Sequence, residues 1–227
     1  MRLLLYVTTH LSLLHLKFLT LCWPQMLQRF KIKPEIAFFI TPRNNHTNLS
    51  HDSIVIKTMY PNATIILSTT IGKQEGAISA VTNPIAIQLF SQFDWIIRLN
   101  PDVIMYNIPY IMRFLTHRRD AVLSNCWQNE NDIRIMTDFT IFRPRAINIY
   151  MTELRLLQCL RSDERLTPYT EPVPPNAEND FTRLISTTLK NRKYIWLWNA
   201  DNSSRRVQLP GIVYHEHTVS RCLAKSN

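Results

Sequence analysis

Glycine is nearly absent from this chain of 227 residues, with only Gly72, Gly76 and Gly211 present. Neither G-x-G-x-x-G nor G-x-x-x-x-G-K-[ST] can be written with glycines so placed, so the usual signatures of dinucleotide binding and of P-loop phosphate cradling are excluded. The G-x-S-x-G nucleophile elbow fails for the same reason, and no H-E-x-x-H zinc helix occurs. Cys22, Cys126, Cys159 and Cys222 form no C-x-x-C pair, which argues against a structural zinc site and against a dense disulfide framework. One or two bridges stay open in an oxidising compartment. Long apolar runs are also missing. The opening MRLLLYVTTHLSLLHLKFLTLC resembles a leader or anchor, but Thr8-Thr9-His10, Ser12, His15 and Lys17 interrupt it. That is well short of the roughly 18 apolar residues a spanning helix needs, and no small-residue cleavage site follows. A transmembrane span is not expected.

What is present suits one domain, or one large domain with a small appendage: 45% of residues are hydrophobic and 19% charged. The 26 Lys and Arg outnumber the 17 Asp and Glu, leaving a formal charge of +9 that favours anionic partners. Basic pairs such as Arg118-Arg119 and Arg205-Arg206 are scattered along the chain, which fits a solvated basic surface better than a nucleic-acid tract. The sequons at Asn45, Asn48, Asn62 and Asn202 lean slightly toward a secretory lumen.

Patterning predicts alternating strands and helices. Leu3 to Val7 reads as a buried strand, and Ser12 to Arg29 as a helix with Leu13, Leu16, Leu19 and Trp23 near one face and a kink at Pro24. Glu35 to Ile40 and Ala63 to Leu67 read as strands buried on both faces. They are separated by a polar loop, Arg43 to Ser53, and a short helix through Ile54 to Met59. Ala77, Ile78, Val81, Ile85, Leu89 and Phe93 keep helical spacing over Gln74 to Phe93, with Pro84 as kink or restart. Asp94 to Leu99 is the strongest strand. Helix is expected over Ile108 to His117, Pro144 to Leu160 and Glu178 to Leu189. Further strands are expected at Ala121 to Ser124, Ile135 to Arg143, Lys193 to Trp198 and Ile212 to His215, and a proline-rich loop at Thr167 to Pro175. This order predicts an α/β sandwich with a largely parallel sheet.

Open α/β sheets bind ligands at the carboxyl ends of their strands, so polar residues there come first. Asn100-Pro101-Asp102 follows the strongest strand. Pro101 lacks an N–H and stops the strand, and the flanking oxygens suit Mg²⁺ or Mn²⁺ carrying a diphosphate; a strand-ending turn capped by Asp102 fits the spacing equally. Asp138, among apolar neighbours, needs a partner: a sugar hydroxyl, Arg143 or Arg98. Glu178 and Asp180 open a helix, where carboxylates also serve as caps and dipole partners. In Tyr214-His215-Glu216-His217, alternation puts His215 and His217 on one face, where one imidazole can complete a metal site.

The ordered set Val7-Thr-Thr-His10, Cys22-Trp23-Pro24, Lys73-Gln-Glu-Gly-Ala77, Asp94-Trp-Ile-Ile-Arg-Leu-Asn-Pro-Asp102 and Thr137-Asp-Phe-Thr-Ile-Phe-Arg-Pro144 resembles GT-A-type nucleotide-diphospho-sugar glycosyltransferases, in particular a poorly characterised eukaryotic and algal group. The resemblance spans nearly the whole chain. It implies a Rossmann-type α/β/α sandwich in one domain, with a nucleotide-binding half to about residue 103 and an acceptor-side half after it. Asn100-Pro101-Asp102 looks like a variant D-x-D metal motif, with Asp102 matching the Mn²⁺-binding Asp and Asn100 replacing the first. Thr8 and Thr9 match the strand end that contacts base and ribose. The segment from Lys73 to Ala77, with Gly76, matches the diphosphate region, and Arg98 supplements the metal. His215 or His217 resembles the late metal-binding His. Glu178 and Asp180 fall where inverting members keep a general base, and Asp138 where sugar or acceptor is gripped.

The implied activity is metal-dependent transfer of a sugar from a nucleotide-diphosphate sugar to a hydroxyl of a glycan, glycoprotein or glycolipid. A Golgi or lumenal setting is implied where an anchor precedes the chain, and a cytoplasmic one otherwise. Two alternatives stand behind this reading: a catalytically silent binding protein on the same fold, motivated by Asn100, and a basic nucleic-acid-binding protein. The second is disfavoured because Trp95, Trp127, Trp196 and Trp198 lie in or beside apolar strands.

Overall fold

The computed structural model describes residues 1–42, 48–69, 74–124, 135–147, 177–198, 208–209, 213–215, 218–220 and 222. Its main sheet has seven strands in the order β3-β2-β1-β4-β7-β6-β8. They are β1 (Leu3–Thr9), β2 (Glu35–Ile40), β3 (Thr64–Leu67), β4 (Trp95–Leu99), β6 (Ala121–Ser124), β7 (Phe139–Phe142) and β8 (Tyr194–Trp198). Six run parallel and β7 runs against them, pairing antiparallel with both β4 and β6. A second sheet joins β5 (Val103–Met105), β9 (Gln208–Leu209) and β10 (Val213–His215).

Alternation along the buried strands explains why helices cover both faces. Leu3, Leu5 and Val7 of β1, with Trp95, Ile97 and Leu99 of β4, enter one core; Leu4, Tyr6 and Ile96 enter the other. The first core is closed by α1 (Leu13–Leu21), α2 (Trp23–Gln28), α3 (Leu49–Met59) and α6 (Ile108–Met112). The second is closed by α4 (Gln74–Thr82), α5 (Pro84–Phe90) and α7 (Ala177–Leu184), with α8 (Ser186–Lys190) after it. Both cores are aromatic: Phe38 and Tyr60 pack in the first, and Phe90 meets Tyr6 and Phe142 edge-on in the second.

Several boundaries differ from the sequence expectation, each for a local reason. The Ser12 to Arg29 helix is two helices: α1 ends at Cys22, and Pro24 falls in the first turn of α2, where its missing N–H costs nothing. Its buried face carries His15, Phe18 and Leu19, while Leu13 is 68% exposed. In a segment this rich in leucine, spacing alone does not choose the face. Asn83 caps α5 through the Ile85 and Ala86 N–H groups, so Pro84 restarts the helix; Ile85 is turned outward. Helix α3 begins at Leu49, capped by Asn48. Strand β3 is an edge strand with Thr64 and Leu67 exposed, and not buried on both faces. Helix α6 is a short stub ending at Met112, and only a 3₁₀ turn, Pro144–Ala146, marks the start of the helix expected from Pro144. The remainder of that helix and the proline-rich loop lie outside the described residues. Strands β5 and β9 were not expected at all.

No helix among the described residues is long and apolar enough to cross a membrane. Cys22, at the α1–α2 junction, is disulfide-bonded to Cys222, 200 residues further along the chain. Closing so long a loop removes much of the unfolded chain's freedom, worth about 2–5 kcal/mol. Replacing both cysteines by alanine is expected to lower the unfolding free energy by a corresponding amount and to raise m, because the uncrosslinked chain exposes more surface; equal unfolding free energies for the oxidised protein and the double variant would refute it.

Candidate functional site

The carboxyl ends of β1 and β4 lie side by side, and because β7 is antiparallel its beginning joins them there. Asn100, the first residue past β4, bridges all three strands. Its carboxamide oxygen accepts from the Thr8 hydroxyl (2.7 Å), its Nδ2 donates to Asp138 Oδ1 (2.8 Å), and its backbone N–H donates to the Asp138 carbonyl (3.1 Å). Only a side chain that both accepts and donates satisfies these neighbours at once. A carboxylate at this position would face that of Asp138 at contact distance and repel it, so the geometry favours a carboxamide here.

The rest of the turn is held from the opposite face by α1 and α2. The Trp23 indole N–H donates to the Pro101 carbonyl (2.8 Å, buried). His15 brings Nε2 to 3.9 Å from Asp102 Oδ2, and its Nδ1 shares a 2.9 Å hydrogen bond with the Thr9 hydroxyl. The His10 ring packs against His15 at 4.6 Å between centroids. This placement depends on a tight exit from β1. Leu11 adopts φ 45°, a left-handed conformation costly for a branched residue, and its N–H is fixed by Thr9 Oγ1 at 2.9 Å. Ser12 then caps α1 through the His15 N–H. Asp102 itself is 8% exposed and leads into β5, where Val103 lies opposite His215 of β10. The late strand therefore runs beside the turn.

Beneath Asn100, on the face covered by α4 and α7, Arg98 is 1% exposed. Its Nη2 donates to the Ala77 carbonyl (3.4 Å), while Nε and Nη1 have no hydrogen-bond partner among the described residues. Burial pulls its pKa down to about 10, opposed first by the Asp138 carboxylate and also by Glu178, so it stays cationic at neutral pH. Helix α4 is pinned above it by the Tyr6 hydroxyl, which donates to the Ala80 carbonyl at 2.7 Å. Helix α7 carries Glu178 and, one turn in, Asp180, which is 5% exposed. Burial pushes the Asp180 carboxyl up to about 6; Arg183, 3.4 Å away, pulls it back in part, and Glu178 adds to the rise.

The structure thus brings Thr8, Asn100, Asp138, Arg98 and Glu178 into one polar cluster, with Asp180 two residues beyond Glu178 on the same helix and Thr9 and Asp102 on the far side of the turn. Arg143 is not the partner of Asp138; it stacks over Trp95 instead, 4.7 Å from the ring centroid. Gly76 is buried in the first turn of α4. Lys73 and His217 lie outside the described residues, and for His215 only the strand position is described. Among the described residues, no group of three His, Cys, Asp or Glu is arranged to hold a metal. Two contributors went unnoticed in the sequence, His15 and the Trp23 N–H. The readable signal was the Ser12 cap, which fixes where α1 starts and hence that His15 falls back against the end of β1.

No protein-family model matches the chain, and no curated protein matches it. Among solved structures, mouse xyloside xylosyltransferase 1 aligns over 95% of this chain and 97% of its own, with TM-score 0.51 and 9% identity. An active-site mutant of LgtC aligns over 96% of this chain and 87% of its own, with TM-score 0.51 and 10% identity. The seven-stranded, mostly parallel sheet with its flanking helices is the GT-A fold of nucleotide-diphospho-sugar transferases.

Two measurements test this geometry. Asn100→Asp is expected to destabilise the protein by about 1–3 kcal/mol in chemical denaturation, and adding Asp138→Asn should restore most of the loss; additivity of the two changes would show that the bridge does not matter. For Asp180, whose folded pKa lies above the unfolded value of 3.8, the native state holds the proton longer than the unfolded one. Stability is then expected to fall as pH rises from about 4 to about 6, by roughly 3 kcal/mol relative to Asp180→Asn. Parallel stability curves for the two proteins would rule out the raised pKa.

Proposed function

We propose that the protein is a glycosyltransferase that moves a sugar from a nucleotide-diphosphate sugar to a hydroxyl acceptor, with help from a divalent cation. The observation that carries this reading is the clamped Asn100-Pro101-Asp102 turn at the carboxyl end of the central strand of a GT-A sheet. A fold alone does not assign an activity. What supports one here is that each residue of the turn is fixed from a different element, a rigidity that a simple connection does not need.

The donor set suits Mn²⁺ or Mg²⁺. Such ions take one or two carboxylates from the protein and fill the remaining positions with substrate phosphate and water. Asp102 supplies the carboxylate, and His215, opposite Val103 in β10, or else His217, supplies an imidazole. When bound, the cation neutralises charge on the leaving diphosphate. Thr8 and Thr9 line the end of β1 as the contacts for the nucleoside, and Gly76 in the first turn of α4, with Lys73 just before that helix in sequence, serves the diphosphate. Arg98 maintains a positive floor under Asp138 and Glu178, which orients those carboxylates toward sugar or acceptor hydroxyls. Asp180, titrating near 6, is mostly ionised at neutral pH yet basic enough to accept a proton from the attacking hydroxyl.

A binding protein that has lost catalysis is the second reading, motivated by Asn100 in place of a carboxylate. A donor panel separates the two: UDP- and GDP-sugars with Mn²⁺, following nucleotide diphosphate release. Release with one donor, lost by more than about 100-fold in Asp102→Ala, is expected, with turnover rising through a midpoint near pH 6 that Asp180→Asn abolishes. Donor-dependent thermal stabilisation without release would favour the silent homologue.

A further inference from the structure

The end of the sheet opposite the candidate site, where the parallel strands begin, gathers basic residues that are scattered along the sequence. The Asp120 N–H donates to the Lys193 carbonyl (2.6 Å), which brings Arg118-Arg119 beside Arg192-Lys193. The Arg143 N–H donates to the Asp120 carbonyl (2.8 Å), and Arg145 Nε meets Asp120 Oδ1 at 2.6 Å. Asp120 is the acid beside these residues, and it is 5% exposed and already paired; Glu35, which starts β2, and Asp94, just before β4 on the same end, are paired with Arg2 and the Met1 amino group respectively. Arg118, Arg192 and Lys193 are exposed. Further along the same end, in the turn before β2, Lys31 and Lys33 flank Ile32, which is 43% exposed.

Cations that outnumber the acids among them repel one another in the folded state, and an anionic partner relieves that repulsion. The position of Ile32 decides which anion. An apolar side chain held between two lysines suits an interface where the chain end enters an acyl boundary while the ammonium groups meet head groups. A nucleic-acid backbone offers nothing for it. Strand length sets the site about 20 Å from this end, so a flat partner on the basic end leaves the crevice open to soluble donor and acceptor.

We propose that this basic end docks on an anionic phospholipid surface, with Lys31-Ile32-Lys33 and the Arg118-Arg119 and Arg192-Lys193 pairs as the contacts. The proposal is independent of the transferase reading. It is tested by cosedimenting the full chain with phosphatidylcholine vesicles that contain or lack phosphatidylserine. Binding is expected only to the anionic vesicles, weakening as salt is raised. Each removed cation should lower partitioning about fivefold, so Arg118→Gln with Arg119→Gln gives about 25-fold. Ile32→Ser should weaken vesicle binding and leave capture by an RNA oligonucleotide unchanged. These positions are on the surface, and an unaltered melting temperature confirms the variants are folded. Equal binding to neutral and anionic vesicles, or no binding to either, overturns the proposal. So does tighter binding to RNA than to vesicles that ignores Ile32→Ser, which would make the partner a nucleic acid.

Discussion

The carboxamide of Asn100 ties together the three strands whose ends make the site. A carboxamide is the one short side chain that offers an acceptor to Thr8 and donors to Asp138. The antiparallel run of β7 is what brings Asp138 to this end of the sheet, so the reversed strand direction and the carboxamide at position 100 are one constraint. Once Asn100 is fixed, Pro101 presents its carbonyl to Trp23 and Asp102 is delivered to the opposite face, beside His15. The two polar residues that follow the central strand are therefore held on different sides. Asn100 joins the strand ends, and Asp102 is buried against His15.

The electrostatics beneath that frame are uneven by design of burial. Arg98 is too enclosed to be screened by water, so its charge acts on Asp138 and Glu178 through a low-dielectric core. Asp180, on the same helix as Glu178, is governed by desolvation more than by its neighbours. Two carboxylates two residues apart on one helix thus have different surroundings, the arrangement that lets similar side chains take different chemical roles.

Much of the fold could be read from the chain because its strands are apolar runs ended by turn residues. Glu35 to Ile40 has the same bounds in both views, and the central strand differs only at Asp94. Helix faces were harder. Leu13 and Ile85 look like core residues and point outward, because leucine-rich and isoleucine-rich helices give the hydrophobic pattern no polar side to register against. Strands β5 and β9 were invisible, since two or three residues acquire strand geometry only by pairing with a distant segment. The site residues were legible as types at strand ends, but their pairings were not. Nothing local tells Asp138 to face Asn100 and not Arg143, and the roles of His15 and Trp23 exist only once α1 and α2 fold back over the turn.

The disulfide between Cys22 and Cys222 encloses almost the entire domain in one covalent ring. Any single cut between those residues leaves two fragments that travel together until a reductant separates them. The helix junction that holds Pro101 is one residue from the bond, so Cys222 is fastened beside the same turn that Trp23 grips.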